Sequence, residues 1–586
     1  MSTSPTISFE ALQALRALSH SYPKIVVACW EHVFAIVHSH MEVASPEVPT
    51  SPRRGLSGNS IRVNGEKVIA AAIKVLDDCL RALSGFKGTE DLLDDKLLDT
   101  PFTSDCIREK KIFSAPSCGD EASDDYKDDQ RTSQSGGDQW EQAINKFLRR
   151  TLRHSSHVVR AASVTCFAGI TSSAFYSLKK QHQDFVLSST IYAAVEDVVP
   201  SVRSAACRAI GVITCFPEIC RRQCRYLLNA NNFSAGILGS FVKAVETNTQ
   251  NSVVSVRITA SWALANICES LHRWFNDVHP ECFVETNARV VALIECALRL
   301  TNDGDKVKSN AVRALGALSK YVRCRDLSGI QGKPVEYAVS YSTNCIQGSA
   351  SSTWTNNRLP ETCTATSVGD SRWLEKIVQA FLSCVTTGNV KVQWNVCHAL
   401  SNLFRNETLS LKDEDWAPSV FSILLLLLRD SSNFKIRIQA AAALAVPESV
   451  LDYGRSFTDV VKGVEHVLEN LDSYQMSAPS SFKYRSALEK QLTITMLHVL
   501  HLASSSDHQP LKDFIVKKAS FLEEWLKGLC SSVKDISAPT EIESVNTVNQ
   551  KKEVISKALR SLTEVFEGMN HHATAQKFEV LYQSIQ

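Results

Sequence analysis

The sequence predicts an all-α protein, an α-solenoid in which helical hairpins stack into a superhelix that disordered loop insertions interrupt. Two features of composition point this way: 44% of the 586 residues are hydrophobic, which is enough for packed cores, and only 17 are Pro and 23 are Gly. A β-sandwich or barrel needs a tight turn about every ten residues, and therefore more of both. The third and strongest observation is one amphipathic segment that recurs along the chain.

The recurring segment starts at an aliphatic anchor residue that is usually followed by Arg or Lys. Small residues stand four positions after the anchor and large apolar residues eight positions after it, as Ala260 and Leu264 do after Val256. Anchor offsets 0, 4, 8 and 11 fall within about 80° of one another on a helix that turns about 100° per residue, so they form one buried stripe. We predict a helix at each copy, starting at Val159, Val202, Val256, Val307, Val392 and Ile436, with a degenerate seventh copy at Val68.

The segments between the anchors are predicted to supply the first helix of each hairpin. Successive anchors are 43, 54, 51, 85 and 44 residues apart, whereas helix-pair repeats span about 40 to 47 residues. The 85-residue interval is therefore expected to hold an insertion. The predicted first helices cover residues 140–152, 184–196, 235–245, 287–300, 373–384 and 416–428.

The turn before one anchored helix carries a further signature. Asp197 and Pro200 stand five and two residues ahead of Val202, and Arg203 follows it. An Asp and a Pro at these positions supply a turn and a helix start. This arrangement resembles the HEAT repeat, a helical hairpin found in elongated scaffold proteins, and six aligned copies imply a HEAT or armadillo-like solenoid.

Two of the repeated segments carry a closer resemblance. Residues 389–406 and 431–447 look like the C-terminal half of the HEAT repeat-containing protein 6 family, and residues 8–34 look like the repeat that opens the corresponding part of that family. The resemblance runs from about residue 8 to the end of the chain, which is short enough to represent part of a longer family member. It implies a HEAT array and no catalytic activity.

Three polar stretches are predicted to interrupt the array. The expected organisation is an N-terminal helical repeat at 1–41, a Pro/Ser/Gly-rich linker at 42–65, a degenerate repeat helix at 66–87, an acidic disordered insertion at 88–139, HEAT-like repeats at 140–324, a Ser/Thr-rich insertion at 325–371, HEAT-like repeats at 372–470 and C-terminal helical repeats or a cap at 471–586. Ser51, followed by Pro52 and two arginines, is a candidate phosphorylation site, and an unmodified flexible loop is the alternative.

The acidic insertion explains the near-neutral charge of the chain. Residues 88–139 hold 14 Asp plus Glu and 6 Lys plus Arg, a net charge of −8, so with +1 for the whole chain the remainder carries +9. Such a block usually stays solvated. The alternative is that it folds back onto, or competes for, a basic patch such as Arg149, Arg150, Arg153 and Arg160.

The search for catalytic and metal-binding motifs is negative. The sequence contains no G-x-x-x-x-G-K-[ST], G-x-G-x-x-G, G-x-S-x-G or H-E-x-x-H, and Cys215, Cys220 and Cys224 lack the spacing of a zinc site. We therefore expect no enzyme activity and no cofactor or metal.

The 18 cysteines are about 3% of the chain and the N-terminus has no signal-peptide pattern, which predicts an intracellular protein of the cytoplasm or nucleus. The longest apolar run, residues 423–428, is too short to span a membrane.

The remaining class of function is the binding of a partner at the surface of the protein. Anchor offsets 6 and 10 point away from the buried stripe, toward the groove that second helices line in a solenoid. The candidate groove residues are Arg208, Trp262, Asn266, Arg313, His398 and Asn402. Residues 261–266, with Trp262 and Asn266, resemble the armadillo repeat of nuclear import adaptors, in which Trp stacks on a bound Lys and Asn bonds the peptide backbone. A peptide ladder needs several such pairs and this copy alone has both residues, so packing of Trp262 between repeats is the alternative.

Three hypotheses of function follow. The first is a non-catalytic HEAT-repeat scaffold or adaptor that binds protein partners along its solenoid surface. The second is a karyopherin-like carrier that holds a basic cargo peptide. The third, nucleic-acid binding through the +9 remainder, is disfavoured by the overall charge of +1. The oligomeric state and the partner are left open by the sequence.

Overall fold

A computed structural model describes residues 4–43, 58–86, 136–216, 219, 236–275, 283–321, 373–471, 479–534 and 545–586. Its regular elements in these ranges are helices, and no strand occurs within them. The α-helices are α1 Pro5–Ser21, α2 Pro23–Ala28, α3 Trp30–Val43, α4 Gly58–Leu83, α5 Gly137–Ala143, α6 Arg149–Thr151, α7 His157–Phe167, α8 Ser172–Ser177, α9 Lys180–Val195, α10 Pro200–Ile213, α11 Ile237–Thr249, α12 Val254–Phe275, α13 Phe283–Leu300, α14 Asp305–Tyr321, α15 Trp373–Thr387, α16 Val390–Phe404, α17 Ala417–Asp430, α18 Phe434–Leu444, α19 Val450–Tyr453, α20 Phe457–Glu469, α21 Pro479–Leu502, α22 Gln509–Lys517, α23 Ala519–Lys534, α24 Val545–Gly568 and α25 His572–Ile585. A π-helical turn, Ile144–Leu148, joins α5 to α6.

The helices form two layers. The second helices of the hairpins pack side by side in the order α4, α7, α10, α12, α14, α16, α18, α21 and α24. First helices form the other layer, where α9 packs against α11 and α17 against α20, and each also packs against the second helix of its own hairpin. The predicted all-α solenoid is confirmed, because every anchored segment lies in a helix of the first of these layers.

The buried stripe has the residues that the repeat predicts. The anchors are at most 1% exposed in the six main copies, and the small and large positions after them, such as Ala260 and Leu264, are fully buried. The predicted first helices are also present: residues 140–152 lie in α5, the π turn and α6, and the others lie in α9, α11, α13, α15 and α17. The C-terminal helices α21 and α24 continue the layer of second helices without the anchor signature.

Arginine and aspartate side chains link successive hairpins at their turns. Arg160, one residue after its anchor, donates from Nε to Asp197 Oδ2 over 2.7 Å and from Nη2 to Oδ1 over 3.1 Å. Its Nη1 donates to the carbonyl oxygens of His154 and Ser155, both at 2.9 Å. Burial acts to raise the pKa of Asp197, but the hydrogen bonds from Arg160 and the Val199 amide, together with the charges of Arg160 and Arg203, outweigh burial and lower that pKa. Arg160 therefore fixes its own turn and the next hairpin together.

The same device recurs two hairpins later. Arg257 donates to Asp303 Oδ2 over 2.7 Å and to Oδ1 over 3.2 Å, and its Nη1 donates to the carbonyls of Asn251 and Ser252, both at 3.0 Å. Lys308 stands at the same offset in the next copy and donates to Thr387 Oγ1 over 3.2 Å. Arg160, Arg257 and Lys308 thus link one hairpin to the next, whereas Arg203 donates only to the carbonyls of Val195 and Asp197 in its own turn.

Removing this clamp is expected to destabilise the array locally. Arg160→Ala should lower the free energy of unfolding by about 2 kcal/mol, because four hydrogen bonds are lost and the mostly buried Asp197 is left without its counter-charge. Urea unfolding of the full chain measures this change. Arg429→Ala is the control, because Arg429 is exposed and pairs with the neighbouring Asp430. Equal unfolding midpoints for the two variants would contradict the clamp.

Candidate functional site

A row of polar and aromatic side chains crosses four consecutive second helices. It comprises Arg208 on α10, Trp262, Asn266 and Glu269 on α12, Arg313 on α14, and Trp394, His398 and Asn402 on α16. We call this set the polar row. It includes all six predicted groove residues, of which Asn266 and Arg313 are buried between the helices. Several polar atoms in the row bond to one another.

At one end of the row, an arginine covers a tryptophan. The Arg208 guanidinium carbon lies 5.3 Å from the ring centroid of Trp262, a cation–π distance, and Arg208 itself is exposed. Below the ring is Gly211, where an added Cβ would meet Trp262 Cζ3 at 2.5 Å. Trp262 is half-buried between α10 and α12. The ring is thus held in place from below by helix packing and is stacked by a cation of its own chain.

The middle of the row is a buried network. Asn266 has no exposed surface, and its Nδ2 donates to the carbonyl oxygen of Gly211 over 2.9 Å. Arg313 donates from Nη2 to Asn266 Oδ1 and makes a bidentate ion pair with Glu269, at 2.6 Å from Nε and 2.7 Å from Nη2. Although burial lowers it, the pKa of Arg313 is raised by Glu269, so the guanidinium stays charged. This network ties α10, α12 and α14 together.

The other end of the row contains a neutral histidine. His398 stacks on Trp394 with ring centroids 6.1 Å apart and planes at 27°. Asn402 Nδ2 lies 3.4 Å from His398 Nδ1. Because an amide nitrogen can only donate, Nδ1 accepts and the ring proton sits on Nε2. Burial lowers the pKa of His398 to about 4, with Glu269 opposing the shift and nearby arginines adding to it.

The buried histidine predicts a pH dependence of stability. Its folded pKa lies below the ordinary value of 6.5, so neutral His398 favours the folded state above pH 6.5, and this contribution is lost as the pH falls toward 4. His398→Gln should therefore flatten the loss of stability between pH 6.5 and pH 4. Urea unfolding at both pH values measures it, and His466→Gln on an exposed part of α20 is the control. Parallel pH profiles for wild type and His398→Gln would refute the assignment.

The placement of the predicted residues differs from the helical-wheel expectation at Asn266 and at Arg313, which is buried although it stands at offset 6. Offset 10 was expected to face outward, but Asn266 is fully buried because Gly211 lets α12 approach α10 closely. Glu269 and Trp394 were missed by the sequence analysis. Trp394 sits at offset 2, four residues before His398, and this helical spacing is a signal that could have revealed it. Ser51, Cys220 and Cys224 lie outside the described residues.

The described residues hold no cluster of three or more metal-binding side chains. None of the helices placed in the structure is both long and apolar enough for a transmembrane segment. The described cysteines are free thiols, most of them buried among apolar side chains. Burial raises the pKa of the Cys207 and Cys397 thiols to about 12, so these groups stay protonated and unreactive.

Comparison with known proteins gives distant similarities. No family model matches the chain. An uncharacterised protein of Dictyostelium discoideum is 26% identical in an alignment of 425 positions that covers 60% of this chain and 26% of that protein, so the chain spans about a quarter of its relative. Among solved structures, an engineered protein aligns over 96% of both chains at 13% identity with a TM-score of 0.47. Importin beta aligns over 99% of this chain and 61% of its own at 11% identity with a TM-score of 0.42. A designed armadillo repeat protein aligns over 51% of this chain and 98% of its own at 14% identity with a TM-score of 0.31.

The architecture of the molecule itself decides the structural class. Helical hairpins stack in two layers, and arginines after the anchors clamp one hairpin to the next. The chain is a HEAT/armadillo-type α-solenoid.

Proposed function

We propose that the chain is a non-catalytic HEAT-repeat scaffold or adaptor that binds protein partners through the layer of second helices. The observation that carries this proposal is the polar row, in which Arg208 and the Trp394–His398 stack stand at the two ends of one buried network. Such groups are held in fixed positions before a partner arrives, so little conformational entropy is lost on binding. Arginine and tryptophan are also the side chains that most often anchor protein interfaces.

Proximity labelling in cells tests the scaffold proposal. The full chain and its Arg208→Glu variant would each carry the labelling enzyme, and a partner of the polar row should be labelled less by the variant. Lys391→Glu is the matched control, since it makes the same charge change at an exposed position at the start of α16. Deletion of residues 88–139 asks in addition whether the acidic insertion limits access. Identical labelling by the wild type, the control and Arg208→Glu would count against the polar row as an interface.

The karyopherin-like alternative has less support in the geometry. It requires a free Trp262 face and a free Asn266 amide, but Arg208 covers the former and Gly211 and Arg313 occupy the latter. A Lys/Arg-rich peptide that bound the full chain and lost affinity on Trp262→Ala would favour the carrier. We further place the scaffold inside the cell, in the cytoplasm or nucleus, on the strength of its free thiols.

The finer family assignment is part of the same proposal. Membership in the HEAT repeat-containing protein 6 family is supported by the resemblance of residues 389–406 and 431–447, which form α16, α18 and their turns. A partner shared between this chain and a member of that family, captured by both through the same two hairpins, would support the assignment.

A further inference from the structure

A pocket opens beside the turns that precede α7 and α10, and none of the residues of the polar row lines it. Its volume is about 740 Å³, and it lies between the end of α6 and the length of α9. Its walls combine two kinds of side chain, the arginines Arg149 and Arg153 and the apolar groups of Leu152, Phe185, Tyr192 and Val198. Pockets that bind a ligand typically combine apolar walls with a few charged groups in this way.

The two arginines are not used by the fold. Arg160, also in the pocket wall, is consumed by its bidentate pair with Asp197 and by two carbonyls. Arg149 and Arg153, by contrast, are exposed and form no ion pair with the described residues. The guanidinium carbon of Arg149 lies 4.6 Å from the ring centroid of Phe185, which holds the charge over the pocket.

The apolar wall is unusually open to solvent. Tyr192 is 68% exposed and Val198 is 85% exposed, although both are large hydrophobic side chains. Phe185 and Leu152 are half-buried at the base of the same pocket. A ligand that places an apolar side chain here would bury these groups. The residues on either side of it in the ligand would then reach the two arginines.

We propose that this pocket binds an acidic peptide segment of a partner protein, in which Asp or Glu residues flank a large apolar or aromatic side chain. The carboxylates would pair with Arg149 and Arg153, and the apolar side chain would lie against Phe185 and Tyr192. This inference deepens the proposed scaffold function by naming a partner class, and it rests on that function. The site is distinct from the polar row, so a failure here leaves the polar row untested and intact.

The charge pattern favours a peptide over nucleic acid. A phosphate backbone needs a continuous track of cations. Here Glu196 shares the pocket wall with the arginines, and its carboxylate would repel a chain of phosphates that passes the pocket. A short peptide can place its carboxylates at the two arginines alone.

The test is fluorescence anisotropy of the full chain with a labelled peptide that has aspartates around a central phenylalanine. Arg149→Ala and Arg153→Ala should each weaken binding about tenfold, because a charge-assisted pair is lost. Tyr192→Ala should weaken it severalfold, and Glu196→Gln should strengthen it, because a repelling charge leaves the pocket. Arg150→Ala is the matched control: Arg150 is the exposed neighbour of Arg149 but does not line the pocket, and its loss should leave affinity unchanged.

Several outcomes would overturn the proposal. One is the absence of measurable binding by the full chain. Another is equal weakening by Arg150→Ala and Arg149→Ala, which would indicate nonspecific charge attraction. A third is tighter binding of a labelled oligouridylate than of the peptide, with the same dependence on Arg149 and Arg153. A glycine in place of the central phenylalanine must also weaken binding, since an unchanged affinity would remove the apolar half of the site.

Discussion

Arg313→Ala is expected to lower the free energy of unfolding by about 3 kcal/mol, because it removes a charged donor from the fully buried Asn266 and from the half-buried Glu269. Glu269 loses a bidentate ion pair, and Asn266 Oδ1 loses its donor in a position with no access to water. Removing one member of a buried polar network destabilises the protein by more than the complete network stabilises it, since the remaining groups are left dehydrated without their hydrogen-bond partner.

Amide hydrogen exchange of the full chain is the measurement of choice. Repeat arrays can unfold in parts, and a single global midpoint would average over them. Faster exchange should be confined to α12 and α14 and their neighbours α10 and α16. Lys391→Ala, at an exposed position outside the network, is the control and should leave exchange unchanged. A double variant with Glu269→Ala should be less destabilised than the sum of the single variants, because both remove the same ion pair. Strict additivity would show that the two side chains act independently.

The fold was predictable from the sequence because each repeat carries its own local signal. The anchor, the small residue after it and the large apolar residue beyond it are needed wherever one second helix packs on the next. The anchors at Val159 and Ile436 are far apart in the chain but meet the same packing requirement, and both are fully or almost fully buried. A motif that recurs can be recognised even when each copy alone is weak.

The polar row was only partly predictable, because it depends on how closely two particular helices approach. A helical wheel places Asn266 on the outer face of α12, but it contains no information on the neighbour. Gly211 has no side chain, so α12 sits close enough for the Asn266 amide to reach the Gly211 carbonyl oxygen. Glu269 is unpredictable from α12 alone, since its role exists only once Arg313 of the next hairpin lies against it.

The turns of the solenoid were more predictable from the sequence than the polar row and less predictable than the fold. The Asp197 and Pro200 signature was visible in the sequence and suggested a turn and a helix start. Its larger role, the pairing of Asp197 with Arg160 of the preceding hairpin, joins residues 37 positions apart. Sequence reasoning assigned Arg160 to a basic patch, whereas its charge is neutralised within the array. The arginines left free, Arg149 and Arg153, became identifiable only after this pairing was known.

Gly316→Val is expected to destabilise the array by about 3 kcal/mol, for a reason opposite to that for Arg313: it adds atoms where there is no space. A Cβ built on Gly316 in α14 would lie 2.6 Å from the Cβ and 2.7 Å from the Cα of Ala399 in α16. The second contact is with backbone, so relief requires the two helices to separate, and their packed stripe would then lose contacts along its length. Gly528→Val makes the same change in α23, where no atom lies within 4 Å, and the higher helix propensity of valine should leave stability unchanged or slightly raised. Urea unfolding of both full-length variants compares them directly. A Gly316→Val protein as stable as Gly528→Val would mean that α14 and α16 can move apart without cost, and that the close packing of second helices does not hold the layer together.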